Sequence, residues 1–397
     1  MANKCDKWMK KLQELSGAVD FSYNPFEDVL KTPSPSANFV FGNTHGLPRG
    51  YTMVLYGPQK GGKTLLTNLM VGKLHQTDPD AIAIKFDTEM RTNVQLTELP
   101  LKNFGIDENR YIVYHVNSPE EIFNRIENEV QAMIQDGAPI KLVIVDSITG
   151  IQGRRAMNAK DGVMTQQIGD EAATLQVGLK RILPVIRRGK IGLILTTQLR
   201  ADMDPNAKYN SQSTKLNGNG EAVKMAGAWA LKHFGEYFVY VERNIHKDGR
   251  QDLQGNDLAI KGLKDMEDHE EQTGHKIRIF MRDSSVGPKG RCGEFTIDYY
   301  KGIINTHEEV FALSIARGII ERPNNRTYVL AGWKDGKWDS KDKYIEAIKT
   351  DPALYKEIVD RVEKQDLDAM KTGEYAHGIN ASDADLKEIQ ERADKEE

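Results

Sequence analysis

Short apolar runs recur along the middle of the chain at Met53 to Tyr56, Ala81 to Phe86, Leu142 to Val145, Leu193 to Thr197 and Phe238 to Val241. Each is of strand length and continuous rather than alternating, the pattern of a strand buried on both faces. Between them lie stretches with helical spacing, such as Thr64 to Leu74. From about Asn38 to Tyr300 this alternation predicts an α/β fold, a mainly parallel sheet flanked by helices. Ahead of it, residues 4 to 17 read as a short helix with Trp8, Leu12 and Leu15 on one face, followed by a Pro/Ser-bearing extended stretch to about Ala37. Arg200 to Gly220 is polar, rich in Asn, Ser and Gly, and without periodicity, so it reads as a functional or unstructured loop. After Lys301 the pattern predicts a smaller α/β unit, with a Trp/Gly-rich hairpin near Tyr328 to Trp338 and a helix from about Lys341 to Lys364. The expected division is 1–37 (helix and linker, for subunit interaction), 38–305 (core), 306–375 (small C-terminal domain) and 376–397 (acidic tail).

Composition narrows the class. The chain has 397 residues, 28% charged and 39% apolar, with a formal net charge of −4. That describes an ordinary soluble protein rather than a wholly basic nucleic-acid coat. The charge is uneven, however: residues 151 to 250 hold 16 Lys/Arg against 9 Asp/Glu, enough to hold a polyanion locally. Cys5 and Cys292 stand in no metal-type spacing, which argues against a disulfide framework or a zinc site. No run approaches the roughly 18 apolar residues of a membrane span, and the amphipathic start lacks a signal-peptide core, so a cytoplasmic location is expected.

Gly57-Pro58-Gln59-Lys60-Gly61-Gly62-Lys63-Thr64 fits G-x-x-x-x-G-K-[ST] between an apolar run and a helical one, which makes it a phosphate-binding loop. Its backbone N–H groups and the helix dipole would cradle a nucleoside triphosphate, together with Leu65 just inside the helix. Lys63 would reach the β- and γ-phosphates, and Thr64 would hold Mg²⁺. The run Leu142 to Val145 ends in Asp146, placed to hold a water of the same ion. Ala81 to Phe86 leads into Asp87-Thr88-Glu89, where Glu89 can orient and deprotonate a water attacking the γ-phosphate. Leu193 to Thr197 ends at Gln198, an amide able to report the third phosphate to the loop that follows. Taken alone, Asp146 also fits a turn cap and Glu89 a surface turn.

In order and spacing these elements resemble the RecA recombinase family over nearly the whole chain. Phe86 to Glu89 is similar to its catalytic-glutamate strand, Val145-Asp146-Ser147 to its magnesium site, and Thr197 to Arg200 to its nucleotide-sensing glutamine and the start of its second DNA-binding loop. Pro79-Asp80-Ala81, Gly105-Ile106-Asp107 and Lys247-Asp248-Gly249 are closer still to UvsX-type phage recombinases. The resemblance implies a RecA-like ATPase using ATP and Mg²⁺, with catalytic roles for Glu89, Lys63, Gln198 and Arg282. It implies a filament on single-stranded DNA that pairs with homologous double-stranded DNA, served by single-strand-binding and loader proteins. DNA would lie on two loops, about 151–170 and 199–226. Arg154, Arg155 and Lys160, with Lys180 and Arg181 on the following helix, can neutralise phosphates without reading sequence. Arg200, Lys208 and Lys215 lie in the second loop. Ile168 and Met203 fall where the family places apolar side chains between base steps. Singly, Arg154 and Arg155 also fit a solvated face and Ile168 a core position.

The chain departs from the family pattern in two places. Ser284 replaces the second of two basic residues that complete the neighbouring subunit's ATP site, with Lys289 or Arg291 as candidate substitutes for it. No aromatic occurs in Arg91 to Lys102, where relatives stack one on adenine. Two rival readings share the motifs: a ring helicase or motor, and a non-hydrolysing paralogue that mediates filament assembly.

Overall fold

In a computed structural model of the chain the described residues are 28–90, 103–116, 118–148, 170–201, 215–216, 222–226, 228–243 and 273–372. The expected helix over 4 to 17, the acidic tail, and Arg154, Arg155, Lys160, Ile168, Met203 and Lys208 lie outside them. The strands are β1 (Val29–Leu30), β2 (Leu47–Pro48), β3 (Thr52–Gly57), β4 (Ile82–Asp87), β5 (Tyr111–His115), β6 (Ile140–Asp146), β7 (Gly192–Ala201), β8 (Lys215–Leu216), β9 (Ala222–Met225), β10 (Tyr237–Arg243), β11 (Gly274–Ser284), β12 (Cys292–Asp298), β13 (Gly302–Ile304), β14 (Tyr328–Val329) and β15 (Lys337–Trp338). The helices used below are α1 (Pro35–Val40), α2 (Lys63–Thr77), α3 (Pro119–Asn124), α4 (Gln131–Gln135), α5 (Asp170–Arg188), α6 (Ala228–Phe234), α7 (Thr306–Ala316), α8 (Lys341–Thr350) and α9 (Pro352–Thr372). A π-helical turn, Arg125–Val130, joins α3 to α4.

The main sheet runs β13-β12-β11-β10-β3-β7-β6-β4-β5. From β10 to β5 every neighbouring pair is parallel, and β11, β12 and β13 continue it as an antiparallel edge. All five expected strands are present within a residue or two of their expected bounds, except that β7 continues to Ala201. Burial on both faces explains their continuous apolar runs. Met53 and Leu55 join a core with Leu66, Leu69 and Met70 of α2, whereas Val54 between them joins the opposite core with Leu179, Ile182 and Ile186 of α5.

The chain reverses direction across the sheet at β3. From β3 it crosses to β4 on one side, and from β7 it crosses by α6 to β10 on the other. In open parallel sheets ligands bind at such a switch point, beyond the carboxyl ends of the strands. The phosphate loop stands there.

The structure corrects three local expectations. The stretch to Ala37 is not extended throughout: Ser34 accepts a hydrogen bond from the Ala37 amide, Pro35 takes the first helical position, and α1 begins. The helix expected over Lys341 to Lys364 is two, because Pro352 cannot continue α8 and Asp351 caps α9 through Oδ1, accepting from the Ala353 and Leu354 amides. The segment Arg200 to Gly220 is not wholly loop. Leu199–Ala201 of β7 pairs with β9, and β8 pairs with β9 in turn. Residues 306 to 372 build a separate apolar core that includes Val310, Leu313, Tyr328, Tyr344, Ile348 and Ile358, with Trp338 packed 4.7 Å from Tyr344.

Candidate nucleotide and nucleic-acid site

The phosphate loop needs its glycines because other chain elements press on it. A Cβ at Gly57 would stand 1.9 Å from the Val241 carbonyl oxygen, and one at Gly62 would stand 2.7 Å from Ile277 Cδ1. Gly62 also has φ 96°, the left-handed region that side chains disfavour. It caps α2 without a side-chain hydrogen bond, so the amides of the first turn face outward toward an anion. Lys63 extends along the loop and donates to the carbonyls of Gly57 and Pro58 at 3.0 and 2.7 Å. Burial pulls its ammonium below the usual lysine value, against the charges of Asp146 and Glu89. Leu65 turns its side chain onto the α2 core and leaves only its backbone for a ligand.

Asp146 closes β6 beside the loop, and Thr64 Oγ1 donates to its Oδ2 at 2.8 Å. Thr196 Oγ1 donates to Oδ1 at 2.6 Å, and Lys85 Nζ lies 3.0 Å from Oδ2. Burial raises the Asp146 carboxyl, but the Lys85 charge and these hydrogen bonds prevail and hold it below the ordinary carboxylate value. A carboxylate and a hydroxyl are hard oxygen donors of the kind Mg²⁺ takes, and both border the helix terminus that would receive phosphate. The residues present therefore fit a metal-bound triphosphate.

Glu89 is fixed from several sides. Thr88 Oγ1 donates to the Ser147 carbonyl and accepts from the Ser147 amide, which ties the end of β4 to the end of β6. Ser147 Oγ donates to Glu89 Oε1 at 3.2 Å, and Gln198 Nε2 donates to the same oxygen at 2.6 Å. Gln198 Oε1 in turn accepts from Gln59 Nε2 at 3.1 Å. A continuous chain of side chains thus runs from the phosphate loop, through Gln198 at the start of the second loop, to Glu89. The sequence motifs point to Glu89 and Gln198 separately, and the structure brings them into contact. They do not point to Lys85, although a signal is present as a lone cation inside the apolar run Ile82 to Phe86.

The basic residues are distributed less simply. Arg282 is exposed on β11, with its guanidinium 5.5 Å from the ring centre of Tyr240 and 5.4 Å from that of Phe280. Ser284 serves its own turn, where its Oγ accepts from the amides of Val286 and Gly287 and closes the chain reversal after β11. Of the two candidate substitutes, Lys289 is exposed and pairs with the exposed Asp283, whereas Arg291 is held by the buried Asp366. Arg200 is exposed on the β7 extension, opposite Lys224 in register. The backbone at Lys215 pairs with Val223 across the same small ribbon. Lys180 and Arg181 lie in the middle of α5, about 15 Å along the helix from its loop end. Arg181 is paired with Glu127. Among the described residues no His/Cys/Asp/Glu cluster is arranged to hold a metal by itself, and no helix is long and apolar enough to cross a membrane.

Comparison with known proteins agrees with this geometry. Residues 25–266 match the family model described as the RecA N-terminal domain. The chain is 23% identical over 357 residues to Protein RecA of Thermus thermophilus, covering 87% of this chain and 88% of the relative. It is 22% identical over 340 residues to Protein RecA of Thermotoga neapolitana, covering 85% and 84%. With Protein RecA of Paracoccus denitrificans the identity is 24% over 300 residues, covering 75% and 72%. A phosphate loop at the sheet's switch point, an acidic pair at the ends of the two strands beyond it, and a family match over most of the sheet lead to one conclusion: the chain belongs to the RecA family.

Proposed function

We propose that this protein is an ATP-dependent recombinase of the phage type, which forms helical filaments on single-stranded DNA and exchanges strands with a homologous duplex. The observation that carries this reading is the hydrogen-bonded chain Gln59–Gln198–Glu89, because it couples the phosphate loop to the segment that begins a DNA-binding loop. RecA-family proteins are DNA-dependent ATPases that use ATP with Mg²⁺. Here Thr64 and Asp146 would hold the ion, which would neutralise phosphate charge. The α2 amides and Lys63 would bind the β- and γ-phosphates. Glu89 would take a proton from the attacking water, its carboxylate oriented by Ser147 and Gln198. A γ-phosphate would compete with Glu89 for the Gln198 Nε2 donor. Exchange of partners there would shift β7 beyond Gln198, and with it the ribbon that carries Arg200 and Lys215. Arg282 would complete the site of a neighbouring subunit.

On this reading 38–305 is the ATPase core, 306–375 a small domain, 1–37 a subunit contact and 376–397 an acidic tail. The cytoplasm of a host cell is its place of action. DNA binding would rest on the loops about 151–170 and 199–226. Arg200 stands at the mouth of the second, and Lys180 and Arg181 on α5 would add positive charge behind the first. Incubation with circular single strands and homologous linear duplex tests the proposal. Joint molecules that need ATP and homology are expected. Unwinding of forked duplexes by closed rings, without joint molecules, would favour the motor reading instead.

A further inference from the structure

The interior of β4 holds a lysine between Ile84 and Phe86, both buried. Lys85 itself is 1% exposed, and an ammonium so placed needs a counter-charge. Its partner is Asp146 Oδ2 at 3.0 Å, the oxygen that also accepts from Thr64, while Thr196 occupies Oδ1. Three donors therefore take most of the roughly four acceptor positions of one carboxylate. Asp146 is the acidic residue to which the metal role falls. A second cation is thus built into the protein at the carboxylate that the divalent ion would use.

We propose that Lys85 is the resident counter-cation of Asp146 and shares that carboxylate with the metal. It acts as a positioning residue. It aims Asp146 at Thr64 and offsets its charge, so the corner attracts a divalent ion only when triphosphate oxygens supply further negative charge. Metal then enters with the nucleotide and is not retained by the protein alone. With Lys63 on the adjoining loop, the same ammonium also favours the metal-free triphosphate anion. The inference rests on the nucleotide reading above and adds to it an order of binding.

Mn²⁺ is the probe, titrated alone against the full-length protein by electron paramagnetic resonance. A fluorescent ATP analogue is titrated in parallel, in EDTA and in Mn²⁺. Removing one unit charge about 6 Å from a divalent ion, at an effective dielectric constant of roughly 20 to 80, changes affinity on the order of ten- to ten-thousandfold. Lys85→Met should therefore bind Mn²⁺ alone tighter by that factor and lose affinity for the analogue in EDTA. The gain should disappear when Lys85→Met is made in an Asp146→Asn background. A folded Lys85→Met protein with unchanged or weaker Mn²⁺ affinity, or with the same gain beside Asp146→Asn, overturns the proposal. Should thermal melting show that Lys85→Met does not fold, the wild-type protein decides. It should take up no Mn²⁺ alone at concentrations that saturate its nucleotide complex, and equal uptake in both states overturns the proposal. Neither titration involves DNA. Failure of the joint-molecule assay would remove the recombinase reading and leave these outcomes intact, whereas an unchanged Lys85→Met strikes this proposal alone.

Discussion

Replacing Asp366 by alanine should detach the carboxy-terminal helices from the sheet. Asp366 is 1% exposed on α9, and its two oxygens accept from side chains of three other segments, two of them arginines. Oδ2 accepts from His45 Nε2 at 2.7 Å and from an Arg291 nitrogen at 2.7 Å. Oδ1 accepts from the other Arg291 nitrogen at 2.8 Å and from Arg317 at 2.7 Å. The Arg291 guanidinium also lies 4.4 Å from the ring centre of Phe39, so it cannot swing away without loss. Burial raises the Asp366 carboxyl, but hydrogen bonds from His45 and Arg291, with the Arg291 charge, hold it far below the ordinary carboxylate value. Truncation leaves two guanidinium groups facing each other without their counter-charge. Breaking a buried ion network from one side costs about 3–5 kcal/mol, against about 0–1 kcal/mol for an exposed pair.

Urea unfolding of Asp366→Ala, followed by far-ultraviolet circular dichroism and by tryptophan fluorescence, reads this loss. With Trp8 and Trp229 replaced by phenylalanine in both proteins, Trp333 and Trp338 report the core of residues 306 to 372. Fluorescence should move to lower urea than ellipticity, because that unit would open first. Arg291→Ala added to Asp366→Ala should cost less than the sum of the two, with a coupling above about 1 kcal/mol. The sign with pH is fixed. A depressed carboxylate stabilises above its unfolded value near 3.8 and loses that contribution as acid protonates it, so wild type and variant should converge in acid. A loss within about 0.5 kcal/mol at neutral pH, or coincident transitions, would refute the reasoning.

Further outcomes concern the site and a second buried acid. Glu89→Gln should keep nucleotide affinity while turnover falls on the order of 10²- to 10⁴-fold in a phosphate-release assay, and wild-type turnover would remove Glu89 as the base. Gln198→Ala should bind the nucleotide analogue normally yet lose most of the stimulation of hydrolysis by single-stranded DNA. Full stimulation would break the proposed link between Gln198 and the second loop. Glu309 on α7 is buried beside Ser34 and Ser36, and burial pushes its carboxyl up to about 8. A raised folded value means stability is greatest below the unfolded value near 4.5 and falls as pH rises through about 8. Glu309→Gln should flatten that slope and raise the unfolding free energy at alkaline pH by roughly 2–5 kcal/mol. A slope unchanged in the variant would assign it elsewhere.

Much of this architecture was written in local pattern. Strands buried on both faces read as continuous apolar runs, and the phosphate loop is a contiguous motif whose glycines answer to close neighbours. The edges were harder to see. Tyr111–His115 is an edge strand with Ile112 exposed, and β11 alternates buried Ile277, Ile279 and Met281 with Lys276 and Arg278, a weaker signal than a solid apolar run. Partnerships between distant residues were not legible at all. Nothing in the neighbourhood of Asp366 names His45, 321 positions away, and nothing near Arg291 shows that α9 will claim it. Nor does Lys85 name its carboxylate until β4 and β6 are placed side by side.

Hydrolysis of ATP measured with and without single-stranded DNA, with negative-stain images of the same mixtures, tests the central claim most directly. The account predicts DNA-stimulated turnover together with extended helical filaments. Turnover indifferent to DNA, or closed rings in place of filaments, would contradict it.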